Sequence, residues 1–197
     1  LLSPLYEQLN DLDQFDFKLL VSGSHLIKSS TINENSVVKD GFSILATIET
    51  LLNSDSSISR VKSASLLLQN SLEHVAQFGP DMMIFAGDRE DVLVYAMVGG
   101  FLGIPTIHFY GGDHAADGYI DNPLRHATSK LATFHFVSCQ EHKTRLLKIG
   151  ESRERIRVIG SIALDRFKNY SSTKNENAIR KYTQKNFPKS FALVIFH

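Results

Sequence analysis

Two apolar runs in this chain stop at the same kind of break, and that coincidence does most to limit what it can fold into. Residues 82–85 run into Gly87, Asp88 and Arg89; residues 104–109 run through Tyr110 into Gly111, Gly112 and Asp113. An apolar run of strand length that ends in glycine and an acid suits a buried parallel strand followed by a loop. In an open parallel sheet the ligand lies beyond the carboxyl ends of the strands. Both loops should therefore face one crevice, and residues 87–130 are the stretch around which the rest is built.

The remaining chain supplies the alternation that such a sheet needs. Leu1, Leu2, Leu5 and Leu9 fall at helical spacing. Residues 15–21 read as a strand that breaks into Ser22, Gly23, Ser24 and His25, residues 29–40 as a polar loop, and residues 41–52 as a short helix. Ser56 or Ser57 can cap the next helix, whose apolar positions Ile58, Val61, Ala64, Leu68, Leu72 and Val75 recur at three and four until Gly79-Pro80 ends it. Strands are expected at 81–86, 105–109, 134–138 and 156–159, and helices at 90–102, from about residue 120 to 131, at 141–149 and at 163–167. This order predicts a doubly wound, Rossmann-like parallel α/β sheet. Residues 169–177 read as a linker, 178–186 as a helix and 191–196 as the first strand of a new unit. The division expected is thus 1–168 and 169–197, with both ends of the chain looking cut.

Charge and cysteine content remove several function classes. The 197 residues carry 21 basic and 21 acidic side chains with no Lys/Arg-rich block, so nothing favours nucleic acid or an anionic membrane. The single cysteine, Cys139, excludes an internal disulfide and a cysteine-built zinc site. The longest apolar stretches, 42–52 and 92–104, are too short to cross a bilayer. With no charged leader followed by an apolar core, the cytoplasm is the expected compartment.

Each polar residue near the two breaks has a structural reading beside a chemical one. Asp88 can act in the crevice or cap the helix behind it, with Glu90 and Asp91 in the first turn. His108, inside a β-run, suits a core residue bonded to a backbone carbonyl better than a catalyst. Gly111 and Gly112 can bring backbone amides up to an anion or a sugar hydroxyl, or simply make a tight turn. Asp113, His114 and Asp117 are ligands of a substrate or members of a solvated loop, and no metal-binding spacing is present. Arg125 can pair with Asp121 one turn away or grip a phosphate or carboxylate, with His126 beside it. His25 is a further crevice candidate; His74 and His135 read as structural or solvent-facing.

Taken in order, SGSHL at 22–26, GDR at 87–89, IPTIHFYGGD at 104–113, IDNPLRHATSKLA at 120–132 and RIRVIGSIALD at 155–165 resemble the UDP-N-acetylglucosamine 2-epimerase family, the hydrolysing branch above all. The resemblance implies two Rossmann-like domains of GT-B type with the active site between them. This chain would supply most of the first. An initial strand would precede residue 1, and most UDP contacts would follow residue 197, so the segment alone should be a poor catalyst. The implied reaction releases UDP from UDP-N-acetylglucosamine as C2 loses a proton, then adds water to the glycal to give N-acetylmannosamine for sialic-acid-like glycans. It also implies catalytic roles for Asp88, Tyr110, Asp113 and Asp121, and substrate contacts from His25, Arg89, His108, Gly111, Gly112, Asn122, Arg125 and His126. No cofactor or metal is implied; the expected partners are a UDP-sugar and a second copy of the chain. Tyr110 and Asn122 stand where the family carries acids, and Asp113 stands where the branch usually carries glutamate. A related substrate such as a diacetamido sugar nucleotide, a non-hydrolysing outcome, or a non-catalytic sugar-nucleotide-binding domain are the alternatives.

Overall fold

The computed structural model describes residues 2–26, 41–52, 56–118 and 120–169. Six strands, all paired in parallel, form two sheets among them. β1 (Leu19–Ser22) pairs with β2 (Ile44–Ile48), and the other sheet runs β3 (Met83–Ala86), β4 (Thr106–Phe109), β5 (Phe134–Val137), β6 (Ile156–Val158). The helices are α1 (Ser3–Asn10), α2 (Ser57–Phe78), α3 (Glu90–Leu102), α4 (Asp121–Leu131) and α5 (Gln140–Lys148), followed by a 3₁₀ segment at Ile162–Asn169. The chain divides into a unit at Leu1–Ala163 and a second at Leu164–His197. The expected helix at 178–186 and strand at 191–196 lie outside the described residues, as does the loop at 29–40.

Side-chain alternation explains the layers. In β3 and β4, Ile84, Ala86, Ile107 and Phe109 point to one face, where Leu2, Leu5 and Tyr6 of the α1 region cover them. Met83 and Phe85 point to the other, against Val92, Val94, Ala96 and Val98 of α3. Leu67 and Val75 of α2 join that core with Ile48 of β2, and each fully buried side chain of this size contributes about 1.5–3 kcal/mol. Leu146 of α5 packs on Val137 and Ile156. α3 is apolar almost all round because it lies between the sheet and both α2 and α4.

Two expectations need correction. Residues 41–52 do not form a helix: Ile44–Ile48 is β2, paired with β1 through Leu20↔Ala46 and Ser22↔Ile48. A short apolar run with Ile44, Thr47 and Ile48 satisfies either period, and β-branched side chains with an available strand partner decide it. In α2, Ser56 is the N-cap, accepting from the Ser59 amide, and Gly79 is the C-cap. However, Ile58 and Val61 are 67% and 70% exposed, because the first turns of this long helix extend past the core that Leu67 and Val75 enter. No helix among the described residues is long and apolar enough to cross a membrane.

At the edge of the sheet opposite the loops, Glu151 is buried with His135, whose Nε2 donates to it at 2.9 Å. Lys130 Nζ at 2.8 Å and Arg155 at 3.4 Å balance its charge. His135 is therefore structural. Burial lowers its pKa, and Lys130 and Arg155 reinforce that against the pull of Glu151.

Candidate active site

All four strands of the larger sheet end at one hollow of about 300 Å³. It is lined by Gly87 and Asp88 after β3, Tyr110 and Asp113 after β4, Ser138 after β5, Ser161 after β6, and Arg125 from α4. A larger hollow, about 520 Å³, lies along β2 and the side of α2 and shares no residue with it. Only the smaller one collects groups from the carboxyl ends of several strands, which is where an open α/β sheet does its chemistry.

Arg125 organises the site. Its side chain is 7% exposed, and it ion-pairs with Asp88 through Nη2 and with Asp113 Oδ2 at 3.2 Å through Nη1, which also donates to the Tyr110 carbonyl at 3.3 Å. A guanidinium taken this far out of water needs a carboxylate beside it, and its planar fork serves two here. Asp113 Oδ1 lies 3.2 Å from His142 Nε2 and accepts from the His114 amide at 2.8 Å. Partial burial pushes the Asp113 carboxyl up, but that amide, Arg125 and His142 outweigh it and hold it below the usual carboxylate range. Burial, helped by His114, Arg125 and Arg145, lowers His126.

The expected partnerships of two acids are redrawn. Asp88 is not the cap of α3, since the N-cap position is Arg89 and the Asp88 carboxylate turns to Arg125 instead. Asp121 does not pair with Arg125. It stands in the first turn of α4, outside the lining of the hollow. The geometric reason is that Arg125 is drawn inward, toward carboxylates on two other loops, so the helix-surface neighbour loses the competition.

The glycines are packing glycines. Gly112 is buried with φ +74, and a Cβ there would lie 2.3 Å from the His142 carbonyl oxygen and 3.0 Å from Leu146 Cγ. At Gly111 a Cβ would meet Ser129 Oγ at 3.0 Å and His108 Nδ1 at 3.2 Å. The pair therefore lets the loop run against α4 and α5. Tyr110, just before, is held at φ +65, a conformation that costs a non-glycine residue about 1–2 kcal/mol and is found where function over-determines the backbone. Its hydroxyl is buried without a protein partner, and it faces Tyr6, whose own hydroxyl is pushed up to about 12 by burial and by Tyr110.

Asn122 uses both ends of its amide inside the protein: Oδ1 accepts from the Ala115 amide at 3.1 Å and Nδ2 donates to the Ala115 carbonyl at 2.8 Å. It clasps the loop that carries Asp113. Asn122→Asp removes the donor and sets a carboxylate against a carbonyl, so the expected loss is about 1–3 kcal/mol, read as a lower urea midpoint with an unchanged m value.

Arg89 is exposed, at the N-cap of α3. His25 lies in the turn Gly23–Leu26 after β1, with its side chain outside what is described. His142, Ser138 and Ser161 were not among the expected site residues. The two serines follow strands directly, so applying the strand-end rule to β5 and β6 would have found them; for His142, on a helix, no sequence signal stands out. Among the described residues no group of three His, Cys, Asp or Glu side chains is placed to hold a metal.

His108 is fully buried, with Nε2 2.8 Å from the Gly87 carbonyl and Nδ1 3.0 Å from Ser129 Oγ. Burial lowers it to about 4, against the opposing Gly87 bond. A histidine that titrates near 6.5 when unfolded but lower when folded binds its proton first in the unfolded chain. Acidification through 6.5 therefore favours unfolding until the folded ring titrates. His108 and His135 act together in that window. Glu151, held low by Lys130 and His135 against the upward push of burial, withdraws its stabilisation only at lower pH still, as its folded carboxyl protonates. Stability should be flat from pH 7 to about 9 and fall by on the order of 3 kcal/mol for His108 alone as pH drops toward 4. Thermal melts across that range check this, and a Tm unchanged down to pH 4.5 contradicts it.

A family model described as UDP-N-acetylglucosamine 2-epimerase matches residues 7–197. A GDP/UDP-N,N′-diacetylbacillosamine 2-epimerase (hydrolysing) of Campylobacter jejuni is 33% identical over 192 residues, covering 98% of this chain and 49% of that protein. A UDP-N,N′-diacetylbacillosamine 2-epimerase (hydrolysing) of Legionella pneumophila is 30% identical over 199 residues, covering 100% and 52%. In fold, the crystal structure of the Neisseria meningitidis UDP-GlcNAc 2-epimerase bound to UDP-GlcNAc superposes with a TM-score of 0.71 at 15% identity, over 92% of this chain and 50% of that one. The chain spans about half the length of the curated relatives it matches. Since the family match runs from α1 through every described strand and these relatives align over nearly all of this chain, the chain belongs to the UDP-N-acetylglucosamine 2-epimerase family.

Proposed function

We propose that this chain is the part of a hydrolysing UDP-acetamido-sugar 2-epimerase that brings proton-transfer groups to the sugar, with UDP held mainly by sequence beyond it. The observation that carries the reading is the convergence of Asp88, Asp113 and Arg125 on one hollow at the ends of four parallel strands. The two hydrolysing relatives support the reaction, and their names support a diacetamido sugar nucleotide as substrate ahead of UDP-N-acetylglucosamine.

In this reading a carboxylate, Asp88 first, takes the proton from C2 as the C1–O bond to UDP breaks, leaving a glycal. Water then adds across the double bond, hydroxyl to C1 and proton to C2 on the opposite face, and the 2-epimeric free sugar results. Arg125 fixes Asp88 and Asp113 in place and helps hold Asp113 ionised, and a pre-positioned base of this kind is worth about 10²–10⁴-fold. The product, a mannose-configured acetamido sugar, suits the assembly of sialic-acid-like glycans.

Tyr110 and Asn122, at positions where the family carries acids, favour a second reading in which the domain binds a sugar nucleotide without turning it over. Incubating the full-length protein separately with UDP-N,N′-diacetylbacillosamine and UDP-N-acetylglucosamine, and following UDP and free sugar, separates the two. UDP with free 2-epimeric sugar is the expected result. Binding of either nucleotide with no UDP released from any UDP-acetamido sugar overturns the enzyme reading in favour of the second.

A further inference from the structure

His108 has no exposed surface, yet both of its ring nitrogens are bonded to elements that carry the site. The Gly87 carbonyl, 2.8 Å from Nε2, can only accept, so Nε2 carries the hydrogen, and in the neutral ring Nδ1 is a bare lone pair. Ser129 Oγ, 3.0 Å from Nδ1, donates to it and shares its one hydrogen with the Arg125 carbonyl, also 3.0 Å away. Gly87 immediately precedes Asp88, and Ser129 lies one turn beyond Arg125 on α4. The imidazole thus spans the two chain segments whose side chains form the central ion pair. Gly111 is the fourth part of the arrangement, since a Cβ there would press on Ser129 Oγ and on His108 Nδ1 at once.

We propose that His108 is a positioning residue for the reaction assigned above: a neutral, Nε2-protonated imidazole that fixes the separation of Asp88 and Arg125 without touching the substrate. A residue that merely filled space in β4 would be replaced well by another ring of similar size. A brace needs a donor at Gly87 and an acceptor at Ser129, and phenylalanine offers neither. Misplacing reacting groups by about 1 Å is enough to cost roughly 10²-fold in rate.

The kinetic readout rests on the epimerase reading, whereas the tautomer does not, so the two can fail separately. In the full-length protein, His108→Phe should lower kcat for UDP release by about 10²-fold with KM nearly unchanged. His108→Gln, which returns an N–H near the Gly87 carbonyl, should recover at least about a tenth of the original rate. Ser129→Ala leaves the ring in place and keeps the test alive if the phenylalanine variant fails to fold; a fall in kcat of about tenfold is expected. Nitrogen-15 spectra of the unmodified protein at pH 7 should show His108 protonated on Nε2 alone. A His108→Phe enzyme that loses thermal stability but keeps kcat, or one that changes KM alone, overturns the positioning role. So does a ring protonated on Nδ1. If the unmodified protein releases no UDP from any acetamido sugar nucleotide, the reaction reading is what has failed, and the brace stands or falls on the spectrum.

Discussion

Asp88→Asn in the full-length protein should lower the rate of UDP release by about 10³-fold while leaving the fold intact. The two halves of that statement come from the same geometry. Asparagine has the shape of aspartate and keeps one oxygen toward Arg125. Arg125 in turn retains Asp113 at 3.2 Å and the Tyr110 carbonyl at 3.3 Å, so its buried charge is still matched. The expected change in stability is therefore no more than about 1 kcal/mol, the scale of a single altered hydrogen bond. What disappears is a carboxylate oxygen at the end of β3, only 24% exposed and held in place by a buried arginine. A neutral amide cannot take a proton from carbon, and a loss of about 10³ corresponds to roughly 4 kcal/mol of transition-state stabilisation. Asp113→Asn should cost less, because that carboxylate is half exposed and shared with His142. An Asp88→Asn enzyme within tenfold of the unmodified rate would assign the proton transfer elsewhere, Asp113 first.

The strand-and-glycine breaks that place Asp88 and Asp113 are local patterns, and they were legible because a parallel strand and the loop after it are encoded within about ten residues. Glu90–Leu102 was readable to its ends for the same reason, with acids in its first turn and Gly103 beyond its last. The identity of each residue's partner was not legible. Arg125 and Asp121 sit one turn apart and look like a pair, but the arginine lies against acids 37 and 12 positions away in sequence. Only the fold says which attraction is available. β2 was misread because an apolar run of five or six residues fits a strand or a helix, and what settles the matter is a partner strand more than twenty positions earlier. The glycines after β4 were readable as necessary but not as to why, since what they make room for, His142 and Leu146 for one and Ser129 and His108 for the other, comes from three different elements.

Lys130 and Arg155 offer the larger test of stability, and the size of the loss depends on which member of their cluster is removed. Glu151 is the member that cannot reach water, with a side chain 1% exposed, whereas Lys130 and Arg155 are 53% and 38% exposed. Deleting the acid with Glu151→Leu leaves two cations that rehydrate where they stand and a neutral His135, so the cost should be about 1–2 kcal/mol, mostly from the lost His135 bond. The pair Lys130→Met and Arg155→Met does the opposite. It strands a carboxylate beside His135, with no cation within reach and two backbone carbonyls, those of Ala132 and Thr133, deprived of the Arg155 donors. Stranding a buried charge costs about 3–5 kcal/mol, which for a domain of this size is a fall in Tm of roughly 6–20 °C. Adding Glu151→Leu to the double variant should return part of that loss, because an apolar replacement for a whole buried ion cluster is often tolerated. Melting curves of the four proteins decide it. If the triple variant melts no higher than the double one, the charge on Glu151 is not what makes the cations necessary, and their packing and carbonyl bonds account for the whole effect.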